Sequence, residues 1–303
     1  MEINAIVTMP PYAPYLDRVL EHKIVSGIRL NTVMPLKGTL EDTLRNLNEK
    51  AKKYKKELWI DLKCRQLRTK NYATPPFTEI ELTHRINVNT PCKAYFSDRK
   101  ESATILEVDN NRLIMLEGPG RVVGPGESVT IIDPSLIIEE HFTEKDIEYI
   151  EAMNKISLHN YMLSFFESQQ DASDLYNLDP NADIIAKIES KKGLEYIYNN
   201  YDKNIRLMAA RGDLFLGLKM PHHILKSVED ILRKDPNAIA ASRIFSSLNK
   251  YNLEPTCEEI NDVDNLLRMG YRTLMFGDDI CMNRDSIISG LNLLYAITEG
   301  YRK

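Results

Sequence analysis

Eight short apolar runs recur along the chain: INAIVT (3–8), GIRLN (27–31), LWIDL (58–62), YMLSF (161–165), DIIAKIE (183–189), IRLMAA (205–210), AIAAS (238–242) and RTLMF (272–276). Runs this short and this continuously apolar suit strands covered on both faces, as parallel strands are. Between and after them lie stretches of helical period, among them LDRVLEHKI, LEDTLRNLNEKAKKY, KDIEYIEAMNKI, ILKSVEDILRK, EEINDVDNLLRM and DSIISGLNLLYAI. Thr39 with Asp42, Thr143 with Asp146 and Thr256 with Glu259 each set a hydroxyl three residues ahead of a carboxylate. That pairing satisfies the free N–H groups at a helix start. Eight such units predict an α/β chain closed into a (β/α)8 TIM barrel, because closure removes both strand edges and gives each helix the same outer position. A doubly wound open sheet is the second choice.

One interval breaks the rhythm. From about Asn71 to Asp133 the pattern is strand-like, EIELTHRINV, CKAYF, SATILEV, RLIMLEG and ESVTI, divided by DNN and GPG turns. The expected organisation is barrel over 1–69, a small all-β domain over 70–135 inserted after the third strand, and barrel again over 136–303. A long loop at that place leaves the C-terminal mouth of a barrel, from which the insertion would fold over as a lid.

Bulk composition excludes several function classes. A net charge of -5 with pI near 5.8 provides no basic field for a polyanion, and no Lys/Arg cluster is interleaved with aromatics, so nucleic acid is not an expected partner. Cys64, Cys92, Cys257 and Cys281 form no CxxC pair, which argues against a zinc site or a disulfide framework and fits a reducing cytoplasm. No run approaches the roughly 18 apolar residues of a membrane span, and no export signal or anchor is evident, so the expected location is cytoplasmic, away from membranes.

Barrels of this kind take their reactive groups from the C-terminal ends of the strands. Here the third strand ends in Asp61 and Lys63 and runs on to Arg68; the fifth carries Lys187 and Glu189; the sixth ends in Arg211 and Asp213; the second bears Arg29 and Asn31; Thr8 and Ser242 end two others. Period-two alternation puts Lys187 and Glu189 on one side of a strand otherwise made of Ile and Ala. A charge left unpaired in a dry interior costs several kcal/mol, so each needs a partner, a metal or a charged ligand. Glu189 and Asp213, from adjacent strands, would make a two-carboxylate site for Mg²⁺ or Mn²⁺, completed by water and substrate oxygens. The competing account is a structural ion network in which Lys187 and Glu189 pair with each other or with Asp213 and Arg211.

The string AKIES followed by GLEYI, then MAARGDL, resembles the pyruvate kinase family signature, in which a KIE strand and an ARGDL strand build the metal and phosphoenolpyruvate site. Other segments follow in family order: IRLN, WIDLKCRQLRT, SFFES for the family's SFVRS, AIAASRIFSSL for CATQMLESM, and PTCEEINDVDNLL for PTRAEVSDVANAV. The resemblance spans the barrel, with the insertion where the family has its lid domain. It implies that Glu189 and Asp213 bind Mg²⁺, that Lys187 lies beside the transferred phosphoryl group and the enolate oxygen, and that Arg29 holds the phosphate. It further implies a carboxylate site on the backbone of Ala210, Arg211, Gly212 and Asp213, and a role for Ser242 in ordering proton transfer to the enolate carbon. On the nucleotide side it implies Arg68, with Thr8 and Pro11 in the adenine-side loop; Asn31 and Asp61 match monovalent-cation ligands. Phosphoryl transfer needs dispersed cationic charge on the moving group, which Lys187, Arg29 and Mg²⁺ would supply.

Departures from the family pattern fall at the nucleotide and cation end. RLNFSHG is RLNTVMP, so a serine cation ligand is Val33 and a histidine is Met34, which counts against K⁺ dependence. The glutamate ahead of the Arg68 position is Gln66, and DTKGPE is DLKCRQ; SGET is GDDI, leaving Asp278 and Asp279 without a family role. The sequence stops at Lys303, so the C-terminal regulatory domain, through which the family partly associates into homo-oligomers, is not part of it. The expectation is therefore a specialised relative that acts on phosphoenolpyruvate or pyruvate, with or without ADP/ATP. The alternatives are a metal-dependent lyase or aldolase working through a pyruvate enolate and, last, a non-catalytic sensor of phosphoenolpyruvate.

Weaker features receive plainer readings. GPGRVVGPG (118–126) looks like a phosphate loop, but no helix follows it and its prolines remove donors, so turns are expected. His222 and His223 are expected at the surface or at a helix cap, Trp59 in the core, and the lysines from Lys50 to Lys56 on a solvated helix end.

Overall fold

The computed structural model describes residues 2–97, 99–249 and 254–301. They fall into two compact units, Met1–Leu62 with Glu148–Lys303, and Lys63–Ile147.

The first unit is a closed barrel of eight parallel strands: β1 (Asn4–Thr8), β2 (Val25–Asn31), β3 (Glu57–Leu62), β4 (Asn160–Leu163), β5 (Asp183–Ile188), β6 (Arg206–Ala210), β7 (Ile239–Ala241) and β8 (Thr273–Phe276). Each strand pairs with its neighbours in chain order and β8 closes on β1, through Asn4 opposite Thr273 and Val7 opposite Phe276. The open-sheet alternative is thereby excluded. Residues of period two fill the interior: Ile6, Trp59, Met162, Ile185, Met208, Ile239 and Met275 are buried together, one from each of seven strands. β2 has Gly27 in its register opposite Glu57, where a Cβ would stand 3.0 Å from the Glu57 carbonyl oxygen. One step further along the same faces come Thr8, Arg29, Asp61, Ser164, Lys187 and Ala210, which form the next layer.

Around the strands run α1 (Leu16–Leu20), α2 (Leu40–Lys53), α3 (Glu144–Lys155), α4 (Gln169–Leu178), α5 (Lys191–Asn199), α6 (Arg211–Gly217), α7 (His223–Lys234), α8 (Cys257–Met269), α9 (Asp278–Cys281) and α10 (Arg284–Glu299). The three predicted starts are capped as the spacing requires: Thr39 accepts from the Asp42 N–H at 3.2 Å, Thr143 from Asp146 at 3.0 Å and Thr256 from Glu259 at 3.3 Å. α1 is shorter than the periodic run LDRVLEHKI, since His22 uses its Nδ1 to accept the Ile24 N–H at 3.3 Å and so turns the chain into β2. His222 and His223 are exposed, and Trp59 is buried. No helix among the described residues is long and apolar enough to cross a membrane.

The second unit interrupts the first in sequence. Its antiparallel sheet runs in the order Glu79–Glu81, Arg112–Met115, Glu101–Asp109, Cys92–Phe96 and Thr130–Ile131, with a separate pair of Ile86–Asn87 and Ile137–Ile138. Leu82, Phe96, Ile105, Leu113 and Val129 are among the residues of its own core. EIELTHRINV is thus two strands, because the chain changes partners at Thr83, whose N–H donates to the Arg68 carbonyl oxygen while that of Ile86 donates to Asn110. The GPG segment makes turns: Val123 pairs with Ala73, and Gly126 donates to the Thr69 carbonyl oxygen. The unit takes in more chain on either side than residues 70–135, and one side chain explains part of this. The carboxylate of Asp146, 1% exposed, accepts from the N–H of Lys63 at 2.8 Å, of Cys64 at 3.0 Å and of Thr143 at 3.0 Å, and from the Thr143 hydroxyl at 2.8 Å.

Removing that carboxylate strands three N–H donors, two of them buried far from water, so Asp146→Ala should destabilise the fold by about 3 kcal/mol, and Asp146→Asn by less. Calorimetric melting of the three proteins tests this; an unchanged transition in the alanine variant would refute it.

Candidate active site

The layer above the barrel interior is made of charges. Arg29 on β2 and Asp61 on β3 are buried, and Nε of Arg29 donates to Oδ2 of Asp61 at 2.8 Å, with Nη2 on the same oxygen. Nη1 donates to the Thr8 hydroxyl at 2.9 Å, which the register favours, since Thr8 stands opposite Arg29 between β1 and β2. Thr8 itself donates to the Phe276 carbonyl oxygen at 2.9 Å. It is fully buried and acts on the guanidinium from within; Pro11 lies half-buried in the turn after β1.

The other oxygen of Asp61 serves β5. Nζ of Lys187 donates to Oδ1 of Asp61 at 3.1 Å and to the Ser164 hydroxyl at 2.7 Å, and pairs with Oε1 of Glu189 at 3.1 Å. Ser164, just past β4, donates in turn to Asp61 at 3.2 Å. Oε2 of Glu189 accepts the Phe165 N–H at 2.8 Å. Lys187 and Glu189 therefore share a face as alternation requires, and both are buried.

Burial tends to discharge such groups, and the neighbours decide the outcome. For Lys187, desolvation pulls the pKa down, but Asp61 and Glu189 outweigh it and the ammonium is held above its ordinary value. Arg29 behaves alike: desolvation opposes its charge, and Asp61 and Asp278 more than restore it. Glu189 goes the other way. Burial pushes it up to about 7; Lys187 opposes the shift, and the charges of Asp213 and Asp61 add to it. That repulsion sets Asp213 in the electrostatic reach of Glu189.

Asp213 stands in the first turn of α6, which begins directly after β6 with Ala210 as its cap residue. The side chain of Arg211 turns away from the charged layer to the Ala241 carbonyl oxygen at 3.2 Å, the Ser242 carbonyl oxygen at 2.7 Å and Asp262 at 2.8 Å. It is thus outside the ion network that pairs Lys187 with Glu189. What Arg211 does hold is Ser242, whose φ of 71° is left-handed. The hydroxyl of Ser242 would lie 3.3 Å from a Cβ at Gly212, so glycine is what lets the two segments approach.

At the ends of β2 and β8, Asp278 accepts from Nη1 of Arg29 at 3.4 Å and, through its other oxygen, from Nδ2 of Asn31 at 2.9 Å. Asn31 lies opposite Asp61 in register, and its own oxygen accepts the Val33 N–H at 3.3 Å. Sequence reasoning passed over Ser164 and noted Asp278 without giving it a role in the cluster. The period from Met162 to Ser164 was signal enough for the serine; Asp278 opens α9 just past β8, off the period of the interior Met275, and alternation could not have found it. Arg68 belongs to the second unit, where Nε and Nη2 donate to Oε1 of Gln66 at 3.1 and 2.7 Å and Nη1 donates to the Gly126 carbonyl oxygen. Gln66 thereby accepts from the arginine as a carboxylate at that place would.

A family model described as pyruvate kinase, barrel domain, matches residues 128–281. The pyruvate kinase of Methanocaldococcus jannaschii is 25% identical over 350 residues, covering 96% of this chain and 74% of its own. That of Borreliella burgdorferi is 23% identical over 84% of this chain and 58% of its own, and that of Mycoplasma genitalium 29% over 70% and 42%. Against the crystal structure of a pyruvate kinase from Cryptosporidium parvum the TM-score is 0.74 at 19% identity, covering 99% of this chain and 69% of that one, a likeness that establishes the fold. The chain spans only part of the length of these relatives. With half of its residues matched by the family's barrel and eight parallel strands closed in the same fold, this chain belongs to the pyruvate kinase family.

Proposed function

We propose that the chain is a Mg²⁺-dependent phosphotransferase that moves a phosphoryl group between phosphoenolpyruvate and an acceptor. The observation that carries this reading is the buried Asp61 shared by two cations, Arg29 and Lys187, with Lys187 also on Glu189 at 3.1 Å. In the reaction, the bond from phosphorus to the enol oxygen breaks, a bond to the acceptor oxygen forms, and the enolate takes a proton at its methylene carbon. Arg29 binds the phosphoryl end, and the ammonium of Lys187 stands by the oxygen on which negative charge develops, in a low-dielectric site where it acts strongly. The backbone at the start of α6 orients the substrate carboxylate, and Ser242 helps order the proton that reaches the carbon.

The residues fit a magnesium ion. Among the described residues no group of three or more His, Cys, Asp or Glu is arranged to hold a metal alone. Mg²⁺ characteristically takes one or two carboxylates and completes its shell with water and substrate oxygens. Glu189 and Asp213 provide two carboxylates whose mutual repulsion a divalent cation relieves. Bound there, Mg²⁺ supplies Lewis-acid stabilisation of negative charge on the substrate. Mn²⁺ suits the same donors. At Asp61, two cationic side chains already balance the carboxylate, and Val33 adds no side-chain oxygen, so the reading includes no K⁺.

A second reading, a lyase or aldolase acting through a pyruvate enolate, has one observation in its favour: the guanidinium of Arg29 is already engaged by Thr8, Asp61 and Asp278. Production of ATP and pyruvate from phosphoenolpyruvate and ADP, assayed beside turnover of pyruvate with an aldehyde, separates the two.

Lys187→Met and Glu189→Gln should each abolish turnover with the barrel's circular dichroism retained; activity near the wild-type level in either variant would remove the site assignment. The pH dependence has a definite sign. An acid raised from an ordinary value of 4.5 to about 7 stabilises the fold in its protonated form, fully below pH 4.5, and that contribution is lost as pH rises through about 7. Without metal, the wild-type melting temperature relative to Glu189→Gln should fall between those pH values and level off above. Adding Mg²⁺ at pH 8 should recover it, and a flat difference across the series would contradict the burial argument.

A further inference from the structure

One carboxylate of the cluster has no use in the reaction proposed above. Asp278 opens α9 and splits its oxygens, one taking Nη1 of Arg29 at 3.4 Å and the other Nδ2 of Asn31 at 2.9 Å. A guanidinium has five N–H donors. Those of Arg29 already serve Asp61 through Nε and Nη2, and Thr8 and Asp278 through Nη1, so an arriving oxyanion meets a cation that is mostly committed.

Its two acidic partners differ in how easily they let go. Asp61 is completely buried and is also held by Lys187 and Ser164, so releasing it would strand a charge in a dry interior. The side chain of Asp278 is 44% exposed, and its contact with Arg29 is the longest that the guanidinium makes. Water can take over its solvation when the contact opens. Two registers of the barrel, β1 against β2 and β2 against β3, fix the rest of the guanidinium.

We propose that Asp278 is a displaceable internal anion: it fills the Arg29 corner of the site and is exchanged for the oxyanion of the ligand. The exchange makes Asp278 a specificity-determining residue. Expelling Asp278 costs every oxyanion the same Arg29 contact, while the freed carboxylate, still nearby, repels a doubly charged ligand more than a singly charged one. The inference rests on the assignment of Arg29 to the phosphoryl end.

The test uses the full chain and two probes, inorganic phosphate at about pH 8, where it is a dianion, and nitrate, a monoanion. Titration calorimetry is run on the wild type, Asp278→Asn, Arg29→Met and the double variant. Asp278→Asn keeps the shape and removes the charge; it should tighten phosphate by about tenfold and nitrate by less, widening the preference between them. Unchanged or weaker phosphate binding in that variant, with Arg29→Met still abolishing it, would overturn the role of Asp278 alone. Phosphate binding that survives Arg29→Met, or that is absent in every protein, would overturn the Arg29 assignment and this inference with it. Asp278→Ser, checked by its melting curve, replaces the asparagine variant if that one misfolds.

Discussion

Everything at the mouth of this barrel depends on the carboxylate of Asp61, which has no exposed side-chain surface and holds two cations at once. A buried carboxylate alone would be discharged or would cost several kcal/mol; with Arg29 on one oxygen and Lys187 on the other it is retained as a charge. The same arrangement fixes the cations. Each comes from a different strand, so their separation is set by the closed sheet rather than by flexible side chains, as a site that stabilises developing charge needs.

The cluster holds two cationic side chains, Arg29 and Lys187, against the carboxylates of Asp61, Glu189, Asp213 and Asp278. The excess of negative charge is unevenly placed. Asp61 is compensated from both sides and Asp278 has access to water, while Glu189, pushed up chiefly by its burial, also feels Asp213 and Asp61. In the function proposed above, the carboxylates of Glu189 and Asp213 would hold the divalent cation.

Most of the barrel was legible because buried parallel strands leave uninterrupted apolar runs, and all eight were found where those runs stand. The cap pairs at Thr39, Thr143 and Thr256 were legible for a local reason, since a hydroxyl and a carboxylate three residues apart meet in one turn. Lys187 and Glu189 could be put on one face by alternation alone. What sequence could not show was partnership over distance: that Asp61 joins the second strand to the fifth, or that Arg211 leaves the network for Asp262. Asp278 illustrates the limit. Its identity was visible and its departure from family pattern was noted, but its meaning depends on Arg29 and Asn31, about 250 positions away, which only chain closure brings near.

Asp146 has a consequence for how such a chain can vary. By gripping Lys63 and Cys64 from 83 and 82 positions downstream, it cinches the neck of a long excursion with a single acidic group. The entropy of closing that excursion is met at its own base, and grows only slowly with its length. Lengthening, trimming or exchange of the segment above that knot should therefore leave the contacts of Asp146 with Lys63 and Cys64 in place.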